Sequence, residues 1–140
     1  MLVLDANILI RAVLGRRVRN IITTYANTIE FFAPDVTFAE ASEHLPKVLT
    51  KRGIQVEPAM ALLESLGKVV QAVGVDTYSV SEIDARRRLV GRDPDDWPVL
   101  ATALVLNCPI WTEDTDFFGA GVATWTSDRV ELFLRCGGQD

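Results

Sequence analysis

The sequence predicts an α/β protein with three layers, α/β/α, around a central, mostly parallel sheet of four to five strands. Short apolar runs alternate with stretches of helical periodicity along the 140 residues, which is typical of parallel strands connected by helices. The first run, residues 1–4, is apolar throughout, as expected for a strand that is covered on both faces. Asp5 follows this run at once, and ligand sites of open parallel sheets lie beyond the carboxyl ends of strands.

The strands are predicted from short runs of apolar and β-branched residues. We expect them at residues 1–4, 29–33, 109–112 and 122–126, and residues 73–75 form either a further short strand or a return loop. Right-handed crossovers would bring the carboxyl ends of these strands to one edge of the sheet. Residues more than one hundred positions apart in the sequence are therefore expected to meet there.

The helices are predicted from apolar spacing and from residues that favour helix ends. They are expected at residues 7–14, 18–25, 38–50, 58–73, 81–90, 97–106 and 128–135. Pro98 fits the first turn of the helix at 97–106, and Asn107 ends it. Pro46 should kink or divide the helix at 38–50. Ser127 is expected to cap the last helix.

Composition and charge restrict the class of protein. Residues 1–140 are expected to form one domain, with 49% hydrophobic and 24% charged residues, which is an ordinary globular composition. The formal net charge of −5 leaves no basic surface of the kind that binds nucleic acid by charge alone. A bound cation can reverse the sign of a site locally, so a nucleic-acid ligand is not excluded.

Cysteine usage and hydropathy predict a cytoplasmic protein that does not enter a membrane. The two cysteines, Cys108 and Cys136, are far apart in the sequence and fit a reduced compartment better than a disulfide framework. No apolar stretch approaches the length that spans a bilayer, and the chain opens on a strand without a charged leader.

Residues 93–116 contain six carboxylates and no lysine or arginine. The acids form two groups around the apolar helix at 97–106: Asp93, Asp95 and Asp96 before it, and Glu113, Asp114 and Asp116 after it. Like charges held close together repel, so such a cluster usually binds a cation. The plainer interpretation is a set of helix caps with a solvated acidic loop.

Three separated acids are predicted to meet at the sheet edge and to bind a divalent metal. Asp5 follows the first strand, Asp96 begins a helix, and Asp114 follows a late strand. Glu40, one turn into the helix after the second strand, is a fourth candidate and competes with Glu43. Carboxylate oxygens are typical ligands of Mg²⁺ or Mn²⁺. Zinc is disfavoured, because the only histidine, His44, has no cysteine at ligand spacing.

A metal held by carboxylates and water is suited to the hydrolysis of phosphodiesters. Other catalytic plans lack the necessary residues. His44 alone cannot supply a histidine pair, and the sequence has no Gly-x-Ser-x-Gly, no phosphate-binding Gly-x-x-x-x-Gly-Lys and no Gly-x-Gly-x-x-Gly motif. We therefore predict metal-dependent cleavage of a phosphodiester.

Four motifs of the sequence resemble those of PIN-domain nucleases, the group that includes toxins of toxin–antitoxin pairs. They are LDAN at residues 4–7, FAEASEHL at 38–45, DDWPVLATALVLNCP at 95–109 and TEDTDF at 112–117. Their order and spacing extend the resemblance over essentially the whole chain. It implies cleavage of single-stranded RNA in the presence of Mg²⁺ or Mn²⁺, a homodimer, and inhibition by a small antitoxin protein.

The resemblance also implies roles for individual residues. Four acids, Asp5, Glu40, Asp96 and Asp114, would be the catalytic metal ligands, and the auxiliary residues would be Asn7, Thr112 and Asp116. Small residues are commoner in the family where this chain has Trp97 and Pro98. Asp93 or Asp95 therefore remains an alternative to Asp96.

Few basic residues are available to hold an RNA backbone. The candidates are Arg16, Arg17, Lys47, Arg52, Arg86, Arg87 and Arg88. A rival interpretation is a phosphatase or receiver-type domain with an aspartyl intermediate; such sites ordinarily have a second Asp two residues after the first, where this chain has Asn7. A second rival is a non-catalytic RNA-binding domain of the same fold, against which the intact set of four acids argues.

Overall fold

The computed structural model describes residues 1–137 and contains a five-stranded sheet in which every pair of neighbouring strands is parallel. The strands are β1 (Leu2–Leu4), β2 (Phe31–Pro34), β3 (Val70–Val73), β4 (Ile110–Trp111) and β5 (Thr124–Trp125). Their order across the sheet is β3-β2-β1-β4-β5. The predicted three-layer α/β fold with a central parallel sheet is confirmed.

Within residues 1–137, eight helices cover the two faces of the sheet. They are α1 (Ala6–Leu14), α2 (Arg16–Tyr25), α3 (Asp35–Lys51), α4 (Val56–Leu66), α5 (Val75–Tyr78), α6 (Glu82–Arg88), α7 (Trp97–Leu106) and α8 (Val130–Arg135). Short 3₁₀ turns stand at Ser79–Ser81, Pro94–Asp96 and Thr115–Phe117. None of the helices in residues 1–137 has the length and apolarity needed to cross a membrane.

Alternating side chains of β1 pack into two separate cores. Leu2 and Leu4 belong to one core with residues of α1 to α4 and α8. Val3, between them, belongs to the other core with residues of α6 and α7. All three side chains are fully buried, which accounts for the uninterrupted apolar run at the start of the chain.

The prediction that a helix extends over residues 58–73 is wrong at its carboxyl end. Helix α4 ends at Leu66, and Val70–Val73 instead form β3, which pairs with β2 along its whole length. Apolar spacing alone does not separate the two structures, since Val69, Val70 and Val73 continue the helical pattern. Pairing of β-branched residues with β2 determines the outcome.

Two local predictions also need correction. Of the two outcomes predicted for Pro46, division of the helix is wrong, because α3 continues from Asp35 to Lys51; a proline removes only one backbone donor, and Ser42, four residues earlier, is exposed. Ser127 does not cap α8, because this helix begins at Val130, directly after Arg129; the Ser127 hydroxyl instead accepts a hydrogen bond from the Trp111 indole at 3.0 Å. Asn107 does end α7, in the left-handed conformation with a φ of 52°.

Candidate metal site

The pairing of β1 with β4 brings Asp5 next to Thr112, although 107 positions separate them. The Thr112 hydroxyl donates a hydrogen bond to Asp5 Oδ2 and accepts one from the Asp114 backbone N–H at 2.9 Å. Asp5 Oδ1 accepts from the Ile8 N–H at 3.1 Å, which also caps α1. Thr112 therefore connects the acid after β1 to the acid after β4.

Asp96, Asp114 and Asp116 form what we call the carboxylate cluster. Each offers an oxygen, and these oxygens all lie within 4.8 Å of one another. Backbone donors fix two of the side chains: the Asp116 N–H donates to Asp114 Oδ1 at 2.9 Å, and the Asp93 N–H donates to Asp116 Oδ2 at 3.4 Å. The turns before α7 and after β4 thus hold each other in place.

Asp96 carries the clearest sign of an unsatisfied group. Its Oδ2 is buried and has no hydrogen-bond partner among the described residues. Burial, and after it the neighbouring charges of Asp114 and Asp93, raise its pKa to about 7. A buried carboxylate without a donor is costly, and a cation between these oxygens would remove that cost. The donor set, all carboxylate oxygens, fits Mg²⁺ or Mn²⁺.

Asp5 is also held in an environment that disfavours its charge. The residue is 6% exposed, and this burial raises its pKa to about 6 despite the hydrogen bonds from Thr112 and Ile8, with a smaller contribution from the charge of Asp114. Asp5 and Asp96, which lie on the same rim, thus each have a raised pKa. Such perturbed pairs are typical of sites that bind cations or transfer protons.

Two cavities meet at the carboxylates. The first, the long cleft, has a volume of about 950 Å³ and runs between α1, α2 and α3. The second, the small cavity, has a volume of about 400 Å³ and lies between the start of α3, α5 and the start of α7. The residues that line both are Ala6, Asn7, Glu40, Asp96 and Asp114.

The structure brings the predicted acids to one region but does not give them equal positions. Asp5, Glu40, Asp96 and Asp114 all line the small cavity. Only Asp96 and Asp114 belong to the carboxylate cluster, which has Asp116 as its third member. Glu40 is on an exposed helix position, whereas its competitor Glu43 lines neither cavity.

The alternatives to Asp96 have different positions. Asp93 is in the long cleft and Asp95 in the small cavity. Asp93 Oδ1 accepts from the Asp95 N–H at 3.0 Å, so Asp93 caps the short turn that delivers Asp96.

The basic candidates divide into two groups. Arg17 and Arg52 line the long cleft, together with His44 and with Arg11, which the sequence patterns did not single out. Arg16 and Lys47 are exposed and line neither cavity.

The arginines of α6 pair with acids of their own helix, and Arg88 also donates to the Ala120 carbonyl at 2.9 Å. Arg86 pairs with Glu82 at 2.8 Å and stacks over the Trp97 ring at 4.9 Å. Arg88 pairs with Asp84 at 3.1 Å, and Arg87 approaches the same carboxylate at 3.9 Å. These ion pairs are consistent with a solvated helix face that bears charges of both signs.

Arg92 is a positioning residue that sequence reasoning missed. Its guanidinium donates to the backbone carbonyls of Asp116 and Phe118, each at 2.7 Å. Arg92 therefore donates to backbone oxygens and not to a carboxylate. These hydrogen bonds fix the loop that carries Asp114 and Asp116, two of the three cluster acids. The only signal in the sequence is its position directly before the acidic stretch.

We expect Arg92→Ala to weaken metal binding about 10-fold without removing a ligand, because supporting residues orient the ligands of metal sites. The affinity for Mn²⁺ is measured by calorimetry. Arg87→Ala, which removes an exposed arginine paired only at 3.9 Å, is the matched control and should leave the affinity unchanged. Equal affinities in both variants would show that the loop holds its shape without Arg92.

Comparison with known proteins agrees with the fold and the order of the motifs. A family model described as PIN domain matches residues 3–135. No curated protein matches the sequence. Among solved structures, a chain of a toxin–antitoxin complex from Klebsiella pneumoniae is similar in fold, with a TM-score of 0.63 and 19% identity over 91% of this chain and 98% of that one. Since the family match covers nearly all of the described residues, the chain belongs to the PIN domain family.

Proposed function

We propose that this protein is a metal-dependent endoribonuclease that hydrolyses phosphodiester bonds of single-stranded RNA. The observation that carries the proposal is the buried, unpartnered Oδ2 of Asp96 in a cluster of three carboxylates, in a chain of the PIN domain family. An acidic site of this kind repels phosphate unless a cation is present. Membership of the family, together with the donor set, therefore supports Mg²⁺ or Mn²⁺ as the cofactor.

The proposed ligands are Asp5, Glu40, Asp96 and Asp114, with Asp116 as an auxiliary acid. When bound, the cation would activate water and neutralise the charge on the phosphoryl oxygens. Thr112 would keep Asp5 oriented, since its hydroxyl donates to that carboxylate and accepts from the Asp114 N–H. Asn7 lines both cavities and would supply a neutral polar contact to the substrate.

The proposed path of the RNA backbone is the long cleft. Arg11, Arg17 and Arg52 line it, and cationic side chains supply the sequence-independent part of RNA binding. Of the basic residues predicted from the sequence, Arg52 and Arg17 remain in this proposal. Arg16, Lys47, Arg86 and Arg87 stay predictions for more distant contacts with the backbone.

We propose further that the protein is the toxin of a toxin–antitoxin pair, acts in the cytoplasm, and forms a homodimer. The similar solved chain comes from a toxin–antitoxin complex, which supports a small antitoxin as partner. Val80, Ile83 and Val90, on and beside α6, are each 78–80% exposed, which supports a second copy at this face. Growth of cells that express the chain alone tests the toxin role, and light scattering of the pure protein tests the homodimer.

The decisive experiment incubates the pure protein with a mixture of RNAs, with Mn²⁺ and with a chelator. We expect cleavage only when Mn²⁺ is present, and mapping of the new ends shows whether the cuts lie in single-stranded segments. RNA that remains whole at every concentration of Mg²⁺ and Mn²⁺ would contradict the proposal. Cleavage in the chelator would contradict the metal requirement.

A further inference from the structure

The small cavity is lined by two unlike groups of residues. One group consists of the carboxylates of Asp5, Glu40, Asp96 and Asp114. The other group, which we call the aromatic wall, consists of Val36, Val75, Tyr78, Trp97 and Val99. The volume of about 400 Å³ is within the range of cavities that hold small organic groups. A metal site alone requires no such apolar wall.

The side chains of the aromatic wall contact one another and their neighbours. The Tyr78 hydroxyl donates to Asp35 at 3.1 Å, and the Tyr78 and Trp97 rings meet edge to face with centroids 5.5 Å apart. Arg86 lies over the Trp97 ring at 4.9 Å. Val36 and Val75 line the cavity with 46% and 49% of their surface exposed, whereas Tyr78 is only 1% exposed. The apolar surface of the cavity is therefore offered chiefly by Val36, Val75 and Trp97.

Charge separates the two cavities. The basic residues Arg11, Arg17 and Arg52 line the long cleft, whereas no lysine or arginine is among the described residues that line the small cavity. A phosphate would thus favour the long cleft, and an uncharged group would favour the small cavity. A nucleotide carries both kinds of group, joined by a sugar, and the carboxylates lie where the two cavities meet.

Asp95 gives the small cavity a polar side chain for the recognition of a base. It lines this cavity and not the long cleft, and it is outside the carboxylate cluster. The hydrogen bond from its N–H to Asp93 fixes the turn. An ionised carboxylate only accepts hydrogen bonds, so it matches the exocyclic amino group of a base and opposes the carbonyl that uracil presents at that position.

We propose that the small cavity binds the nucleobase next to the cleaved phosphate, and that Asp95 makes it favour a base with an amino group, such as cytosine, over uracil. The inference rests on the proposed function for the identity of the substrate. Binding of a flipped-out base to an aromatic wall is a common mode of single-strand recognition. The base would enter between Val36 and Val75 while the backbone stays in the long cleft.

The test uses uncharged nucleosides without metal, because they carry no phosphate for the acids to repel. The indole N–H signal of Trp97 is followed by NMR while cytidine or uridine is added. We expect a saturable shift with cytidine and about 10-fold weaker binding of uridine, as one charge-assisted hydrogen bond provides. Absence of a shift with cytidine, or equal binding of the two nucleosides, would overturn the proposal.

Two variants locate the binding. Val75→Phe should fill the cavity and reduce the affinity for cytidine about 10-fold, whereas Leu132→Phe, at a position on α8 that is 52% exposed and lines neither cavity, should not change it. Asp95→Asn should remove the preference for cytidine over uridine. Equal affinities in Val75→Phe and Leu132→Phe would place the nucleoside elsewhere, and an unchanged preference in Asp95→Asn would refute the role of Asp95.

The binding test and the cleavage test fail independently. If Mn²⁺-dependent cleavage is observed and Trp97 does not respond to nucleosides, the base site is wrong and the nuclease assignment stands. If cytidine binds as described and no RNA is cleaved with either metal, the nuclease assignment is wrong and the nucleobase site stands.

Discussion

Asp114→Asn is expected to reduce metal-dependent cleavage of RNA at least about 100-fold, because a metal ligand contributes several kcal/mol to the stabilisation of the transition state. The fold should persist. Asn can still accept the 2.9 Å hydrogen bond from the Asp116 N–H, and the change removes one of the negative charges that act on Asp96. We therefore expect the melting temperature of the metal-free variant to equal or exceed that of the wild type.

Glu57→Gln is the matched control, since Glu57 is exposed on α4 and lines neither cavity. It changes the net charge by the same amount and should cleave RNA like the wild type. Asp5→Asn should behave like Asp114→Asn in the cleavage assay. Undiminished cleavage in both aspartate variants would refute the assignment of these residues as metal ligands.

The stability of the metal-free protein is expected to fall as the pH rises from about 4 to about 7. Folding raises the pKa of Asp5 from 3.8 to about 6 and that of Asp96 from 3.8 to about 7. Below pH 4 such a carboxyl group is protonated in both states and stability is intact. Above pH 4 the group ionises in the unfolded protein first, so stability falls until the pH reaches the folded pKa. For buried Asp5 the shift corresponds to about 3 kcal/mol in total.

Differential scanning calorimetry in a chelator measures this effect, and we expect the melting temperature to be about 5 °C lower at pH 8 than at pH 5. Added Mn²⁺ should reverse the trend, because the cation binds the ionised form of the carboxyl groups and its affinity therefore rises with pH. Asp96→Asn should flatten the metal-free profile. A melting temperature that rises with pH in the chelator would show that ionisation of Asp5 and Asp96 does not destabilise the folded protein.

Much of the fold is determined by patterns that short segments of sequence contain. The apolar run of β1, the helix α7 that ends at Asn107 and the position of β4 before Asp114 were all predictable, because burial on both faces and helix ends leave strong local signals. The boundary between α4 and β3 was missed. Val69, Val70 and Val73 continue the helical spacing of α4, and β3 shows no alternation of buried and exposed residues; its pairing with β2 is a long-range contact.

The placement of the acids followed from topology, but their detailed roles did not. Parallel strands put Asp5 and Asp114 at one edge, as predicted. The entry of Asp116 into the carboxylate cluster depends on a single turn of 3₁₀ helix. The role of Arg92 depends on hydrogen bonds to residues 24 and 26 positions later in the sequence. Such contacts have no periodic signature that a sequence pattern would reveal.

The central place of β1 in the sheet has a consequence for synthesis of the protein. Its neighbour on one side, β2, leaves the ribosome early, but its other neighbour, β4, is made only at residues 110–111. A nascent chain that stops before this point lacks both the strand beside Asp5 and two acids of the cluster. The proposed activity would therefore appear only after residues 110–116 have been made, and shorter products would be harmless to the RNA around them.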